Sequence, residues 1–229
     1  MTKKIIVFVL LCSVVNYLQA QDINVLVEKV RQKMNQVNDY SVEAKMKTNV
    51  AFIKAPIGKV KIYFKKPDQL KLFREKGISI LPKGGVSVNF FSILNTNNLS
   101  IIDAGNTIVN GSNTRIVKLL PLNENSEIII ATLYIDEKEL LIKKSSTTTR
   151  ENGSFEMEMF YGSFNNYGLP DKMIFTFNVK DYKMPKGITL DIDDDLSKEE
   201  KKKYQNKKGK LEFTYSNYII NKGIPNNIF

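Results

Sequence analysis

The sequence predicts a mainly β fold of the α+β class, in which antiparallel strands follow a single leading helix. The evidence is a change in the spacing of apolar residues along the chain. They recur every three or four positions over residues 22–37, as on one face of a helix, and every second position from residue 40 onward, as on one face of a strand. Short turns rich in Pro, Gly and Asn separate the alternating segments, which is typical of an antiparallel meander.

The leading helix is predicted to begin at Asp22, because an aspartate side chain can accept hydrogen bonds from the first turn. It is expected to end near Asn38 and Asp39. Its apolar stripe consists of Ile23, Leu26, Val27, Val30, Met34 and Val37. Since such a stripe needs an apolar partner, we expect the helix to lie against another part of the fold.

Strand patterns occupy most of the remaining chain. The first three strands begin near residues 40, 60 and 70, and proline-containing turns separate them. Further strands are predicted at residues 99–102, 116–120, 128–135, 140–144, 155–161, 173–179 and 211–220. The segment 128–135 is apolar at nearly every position, so it is predicted to be covered on both faces.

Two segments lack a strand pattern. Residues 82–98 contain a flexible entry and a short apolar cluster, which fits a lid, a crossing segment or an ordinary satellite of the core. The Lys-rich residues 197–209 are predicted to form an exposed helix or loop. Both are interpreted as parts of a single domain over residues 21–229.

The first twenty residues have the pattern of a cleavable secretory signal peptide. Lys3 and Lys4 precede an apolar run at residues 5–15, and the small residue Ala20 ends the segment. The run is too short to span a bilayer, which takes about 20 apolar residues. We therefore expect an exported protein, cleaved near Ala20, whose mature chain has no transmembrane segment.

The single cysteine, Cys12, lies inside this apolar run. It follows Leu11 rather than Gly or Ala, and further apolar residues follow it. We therefore interpret it as an ordinary signal-peptide residue rather than a lipidated cysteine. The mature chain then has no disulfide and no thiol nucleophile.

Residues that support the common catalytic chemistries are missing. The chain has no histidine, which excludes Ser-His-Asp and Cys-His catalysis and histidine-ligated zinc. The carboxylates within residues 191–195 have the alternate spacing of a calcium loop, but Leu196 replaces its glycine and Lys202 its final glutamate. Glu156 and Glu158 share one strand face and are interpreted as its solvent-facing side. We expect no enzyme, no metal site and no cofactor.

The chain is basic, with a formal net charge of +10. A basic surface can meet anionic lipid headgroups or nucleic acid, and an exported protein is not expected to bind nucleic acid. The other interpretation is that the charge only keeps the protein in solution.

The order of several short motifs resembles the LolA-like outer-membrane lipoprotein-sorting family. The resemblance covers nearly the whole mature chain, and its support comes from the order of the motifs because each is short. After the leading helix, the motifs are Tyr40-Ser41-Val42 and the segments at residues 62–70, 117–121, 133–136, 175–177 and 215–229, the last including Asn221-Lys222-Gly223-Ile224.

This resemblance implies an incomplete antiparallel β-barrel whose concave face is lidded by helices and encloses a hydrophobic cavity. It further implies a periplasmic carrier of lipoprotein acyl chains or other lipids, which receives them from an inner-membrane export transporter and delivers them to an outer-membrane acceptor. Such a carrier is physically necessary, since each CH₂ exposed to water costs about 0.8 kcal/mol.

The resemblance also implies site residues. Residues 22–37 and 86–97 would be lid elements. The position before Pro67, where the family has a lid-closing arginine, is Lys66, which lacks the planar fork of donors that an arginine has. The candidates for lining the cavity are Val42, Ala44, Met46, Val60, Ile62, Phe64, Leu70, Leu72, Phe90, Phe91 and Leu94.

Three alternatives stay open at the level of sequence. The apolar face of the sheet can pack solid instead of leaving a pocket, because patterning does not distinguish the two. The same fold can serve as an envelope sensor or adaptor that binds a membrane-protein partner. A carboxylate-dependent hydrolase is the third alternative, and its candidate acids are Asp193 and Glu158.

Overall fold

The computed structural model describes residues 22–48, 58–67, 69–74, 94, 98–150, 153–178 and 208–229. Within these ranges the main helix is α1 (Ile23–Met34). The strands are β1 (Asp39–Thr48), β2 (Gly58–Lys65), β3 (Gln69–Arg74), β4 (Leu99–Val109), β5 (Ser112–Pro121), β6 (Ile128–Asp136), β7 (Leu141–Thr149), β8 (Ser154–Phe160), β9 (Lys172–Asn178) and β10 (Lys208–Ile220). Short 3₁₀ turns occupy Asn165–Tyr167 and Asn226–Ile228.

All ten strands belong to one antiparallel sheet with the order β3-β2-β1-β10-β9-β8-β7-β6-β5-β4. Strands β3 and β4 are consecutive in sequence but form its two opposite edges, so the sheet is curved and open rather than closed. The last strand, β10, lies between β1 and β9 and joins the two parts of the sheet. The predicted mainly β architecture, an incomplete barrel accompanied by a helix, is therefore confirmed.

The helix α1 forms where the sequence predicts it. The side chain of Asp22 accepts a hydrogen bond from the Asn24 amide at 2.8 Å and caps the first turn. Arg31 and Lys33 lie in the last turn, where positive charge is favourable because carbonyl groups there are unpaired. The helix ends at Met34, a few residues earlier than predicted, and Val37 instead packs against Phe64.

Strands β4 and β5 are much longer than the predicted segments 99–102 and 116–120. They form a hairpin whose turn is Asn110-Gly111 and whose pairing has a register shift between Asp103 and Asn106. Both turn residues have positive φ, 49° and 80°, which suits a two-residue turn matching the twist of the strands.

The prediction that residues 128–135 are covered on both faces is wrong. Ala131, Leu133 and Ile135 are fully buried, but Ile129 is 47% exposed and Ile130 is only half-buried. Only one face of β6 meets the core, and isoleucines on the other side satisfy the strand's preference for β-branched residues without being covered.

The last strand also differs from its prediction, since β10 begins at Lys208 rather than at residue 211. The final two residues of the predicted Lys-rich insertion at 197–209 therefore lie in a strand, and its other residues lie outside the described ranges.

The core consists of two main apolar clusters on one face of the sheet, which we call the buried face. The helix cluster joins the stripe of α1 to strands β5, β6, β7 and β8, and its fully buried members include Leu26, Val27, Val30, Val117, Leu119 and Leu133. The sheet cluster is formed by β1, β2, β8, β9 and β10, and its members include Val42, Met46, Val60, Phe155, Phe175 and Phe213.

Candidate functional site

Five of the predicted cavity residues lie together in the sheet cluster. Val42 stands opposite Ile62, and Ala44 stands opposite Val60, across the β1–β2 ladder. All four are buried, as is Met46 one pair further along β1. These side chains point to the buried face of the sheet.

The remaining candidates are distributed around this group. Phe64 is buried and stacks on Tyr40 with 5.2 Å between ring centroids. Leu70 and Leu72 on β3 are partly buried against the same cluster. Leu94 belongs instead to the helix cluster, while Phe90 and Phe91 lie outside the described residues. Within the predicted lid segment 86–97 the structure describes Leu94, and the other residues of the segment lie outside the described ranges.

Sequence reasoning missed the half of the sheet cluster that comes from β8, β9 and β10. Phe155 and Phe175 have ring centroids 5.3 Å apart, and Phe175 and Phe177 have centroids 5.4 Å apart. The signal was the alternation of large apolar residues in these strands. Pairing with β1 cannot be read from that alternation, so the residues were not assigned to the site.

Two polar side chains interrupt the buried face on β7. Ser145 and Thr147 have no exposed surface, and within the described part of the chain neither hydroxyl has a hydrogen-bond partner. Their neighbours across the ladders are Met157 and Phe155 on one side and Leu133 and Ala131 on the other. A buried hydroxyl without a partner carries a desolvation cost, so this is a polar spot in an apolar surface.

Lys66, the latch candidate, contacts the C-terminal end of α1. Its Nζ donates hydrogen bonds to the Asn35 carbonyl oxygen at 2.6 Å and to Asn38 Oδ1 at 3.2 Å. Burial lowers the pKa of Lys66 below its ordinary value. An ammonium group at this position also faces the negative end of the helix dipole.

Two further side chains hold the same end of the helix. Lys33 Nζ donates to the Glu139 carbonyl oxygen in the β6–β7 turn at 2.6 Å. The second is the side-chain amide of Asn221, which follows β10. Its Nδ2 donates to the Gln36 carbonyl oxygen at 2.7 Å, and its Oδ1 accepts from the backbone N–H of Asn38 at 2.7 Å. Among the described residues, the polar ties between α1 and the sheet are thus all at its C-terminal end.

A groove of about 570 Å³ opens between α1 and strand β4. Its lining combines Val25, Val27 and Ile101 with charged side chains. Glu28 and Arg31 lie in this lining and form an ion pair with each other at 3.0 Å. The groove at this edge of the sheet therefore has both apolar and charged walls.

Two of the acidic residues considered for catalysis, Glu156 and Glu158, lie in the described strand β8. Glu156 pairs with Lys144 at 3.3 Å, and Glu158 is half-buried on the same side of β8. Residues 191–195 lie outside the described ranges. No group of metal-ligating side chains occurs in the ranges that the structure describes.

In the described residues the geometry defines the class of fold: an open antiparallel sheet whose apolar face is partly covered by helix α1. The chain is similar to an outer membrane lipoprotein-sorting protein domain, so named, from Vibrio parahaemolyticus, with a TM-score of 0.55 and 10% identity over 88% of this chain and 93% of that one. It is similar to a LolA superfamily protein from Nitrosomonas europaea, with a TM-score of 0.53 and 10% identity over 92% and 98%. The chain therefore has the LolA-like fold, as the order of its motifs indicates.

No family model and no curated protein matches the sequence. In the described part of the chain, no helix has the length and apolar character needed to cross a membrane.

Proposed function

We propose that this protein is a non-enzymatic periplasmic carrier, which binds lipoprotein acyl chains or other lipids and moves them from the inner towards the outer membrane. One observation carries the proposal. Helix α1 rests on an apolar sheet face, and its polar ties to the rest of the protein are confined to its C-terminal end in the described chain.

This asymmetry suits a lid. Apolar contacts have no fixed direction, so an acyl chain can replace those made by Leu26 and Val27 at a similar transfer free energy, about 0.8 kcal/mol for each CH₂. The C-terminal hydrogen bonds would keep the helix attached while its other end moves. The groove beside β4 is the place where such an opening would begin.

In this proposal the acyl chains enter over the helix cluster and continue along the sheet cluster, against the face formed by Val42, Val60 and Ile62. Signal-peptide cleavage near Ala20 and handover between an inner-membrane transporter and an outer-membrane acceptor belong to the same proposal. Met46 and Met157 of the cluster favour it, because the flexible and polarisable methionine side chain adapts to cargo of variable shape.

The first test is uptake of a fluorescent fatty acid by the purified protein. We expect its emission to rise on binding and to fall when a triacylated lipopeptide competes for the same site. An adaptor that only binds a membrane protein would leave the probe free. Absence of both probe binding and co-purified lipid would contradict the carrier function.

A second test holds the helix closed. In the mature protein, which begins after Ala20 in this proposal and then has no cysteine of its own, Val25→Cys and Ile101→Cys place thiols on the two sides of the groove for a short bismaleimide. We expect the cross-linked protein to lose probe uptake. The two single-cysteine variants, treated with the same reagent, are matched controls and should retain it. Equal uptake by linked and unlinked protein would exclude helix opening.

A further inference from the structure

The face of the sheet opposite the core carries an unusual concentration of lysines on strands β1, β2 and β3. Side chains alternate along each strand, so the partners of the buried residues point to this outer face. Its six lysines are Lys45, Lys47, Lys59, Lys61, Lys65 and Lys71. Within β1, β2 and β3 the carboxylates on the same face are Asp39 and Glu43, and each already accepts a hydrogen bond, from the Gly223 amide and the Asn217 side chain respectively. On the neighbouring strand β10, Glu212 stands opposite Lys47 and forms its ion pair with Lys172. We call this surface the lysine face.

These lysines differ from the lysines further along the sheet. Lys143, Lys144 and Lys172, on β7 and β9, each form an ion pair with a glutamate. Among the described residues, none of the six on the lysine face forms an ion pair. Balanced charge that merely keeps a protein in solution does not predict this separation.

Two of the lysines are placed against each other. Lys45 and Lys59 are direct partners in the β1–β2 ladder, and both are exposed. Like charges opposite each other destabilise a strand pair. Protection of an edge strand explains Lys71 on β3, but β1 is an interior strand with partners on both sides. The charge on β1 therefore needs another reason.

Aromatic side chains lie among the lysines. Tyr63 and Phe73 meet edge to face with centroids 5.6 Å apart, and Phe73 is 40% exposed. Lys61 Nζ lies 5.4 Å from the centre of the Tyr63 ring, and Lys71 Nζ lies 5.2 Å from that of Phe73. The exposed ring of Phe73 and the half-buried ring of Tyr63, each beside a lysine, match the headgroup layer of a bilayer, which has an apolar boundary next to its charges.

We infer that the lysine face docks this protein on membrane surfaces that contain anionic phospholipid. A broad array of separate ammonium groups fits an array of phosphates better than a single ligand, and each lysine near such a surface adds about 1 kcal/mol, or fivefold, to binding. The inference does not require a lipid in the core. It deepens the carrier proposal by giving the protein a way to stay at the membrane where cargo is exchanged.

The test measures partition onto vesicles of phosphatidylcholine with and without phosphatidylglycerol. We expect binding only to the anionic vesicles, weakened by added salt. The variant K45Q/K59Q should lose about 30-fold in partition coefficient. Its matched control, K118Q/K138Q, removes two exposed lysines outside the lysine face and should bind like the unaltered protein.

Folding cannot account for a loss in K45Q/K59Q, since removing opposed like charges should leave the melting temperature unchanged or higher. Fatty-acid uptake should also be unchanged, which separates this test from that of the carrier function. Equal binding to both vesicle types, or an equal loss in the control variant, would overturn the docking inference.

The chain has no tryptophan, so one can be introduced as a reporter. Phe73→Trp on the lysine face should show a blue-shifted emission when anionic vesicles are added. Ile108→Trp, at a position 69% exposed on β4, is the control and should show no shift. A shift at position 108 without one at position 73 would assign membrane contact to the other edge of the sheet and contradict the inference.

Discussion

At the scale of single residues, the most informative side chains are the buried hydroxyls of β7. Thr147 and Ser145 are polar, fully buried and without a hydrogen-bond partner in the described structure. Such groups lower the stability of the folded protein. They also explain why the sequence predicts a strand only to residue 144, since polar residues follow, whereas β7 continues to Thr149. Alternation of apolar and polar residues does not reveal a strand where the buried residues are themselves polar.

We expect Thr147→Val to stabilise the protein by about 1 kcal/mol, because valine keeps the shape and removes an unpaired hydroxyl. Thr114→Val is the matched control. Thr114 is equally buried, but its hydroxyl donates to the Thr107 carbonyl at 3.0 Å, so its loss should destabilise by about 1 kcal/mol. Denaturant unfolding of the two variants measures both values. Destabilisation of the same size in both would mean that Thr147 has a partner.

At the scale of elements, the helix was predictable and the hairpin was not recognised. The capping residue Asp22 and the three-to-four-residue spacing of the apolar stripe both indicate the same helix, α1. Asn110-Gly111 is a strong hairpin signal, but the flanking part of β4 has no alternation, because residues 102–106 are exposed on both sides. A strand without a buried face has no periodic signature.

The C-terminal attachment of α1 leads to a prediction for Lys66. Lys66→Met removes the hydrogen bonds to Asn35 and Asn38, and we expect the free energy of unfolding to fall by about 1 kcal/mol, since the group is partly exposed. Amide hydrogen exchange should accelerate in the last turn of α1 first. Lys65→Met is the control, because its ammonium contacts Asn226 instead, at 3.1 Å. Equal acceleration in both variants would show that Lys66 does not hold the helix.

At the scale of the whole molecule, the sheet depends on pairings that no local pattern contains. Strand β10 lies between β1 and β9, and this placement brings Phe213 beside Met46 and Leu211 beside Phe175. The sequence predicts the β1–β3 face of the candidate site because those strands are consecutive. It could not supply the β8–β10 half, since long-range pairing is set by the complete core.

The same long-range packing partly buries a set of tyrosines. Tyr218 contacts both Tyr40 and Tyr215, with ring centroids 5.7 Å and 5.9 Å away. Tyr161 lies elsewhere and donates to the Ile142 carbonyl at 2.9 Å. Burial raises the pKa of Tyr40 to about 12 and raises the pKa values of Tyr161, Tyr215 and Tyr218 further.

These shifts predict alkaline unfolding. An unfolded tyrosine has a pKa of about 10, so above that pH the unfolded chain binds fewer protons than the folded chain, and stability falls as pH rises. The stabilising contribution is complete below about pH 10 and is lost as pH rises towards the raised pKa of Tyr40, about 12, and beyond it for the other three tyrosines. Tyrosinate absorbance from these residues should therefore appear together with loss of the β-sheet circular dichroism, while the protein in denaturant titrates near pH 10. Ionisation of all tyrosines with the sheet signal intact would contradict the burial of this cluster.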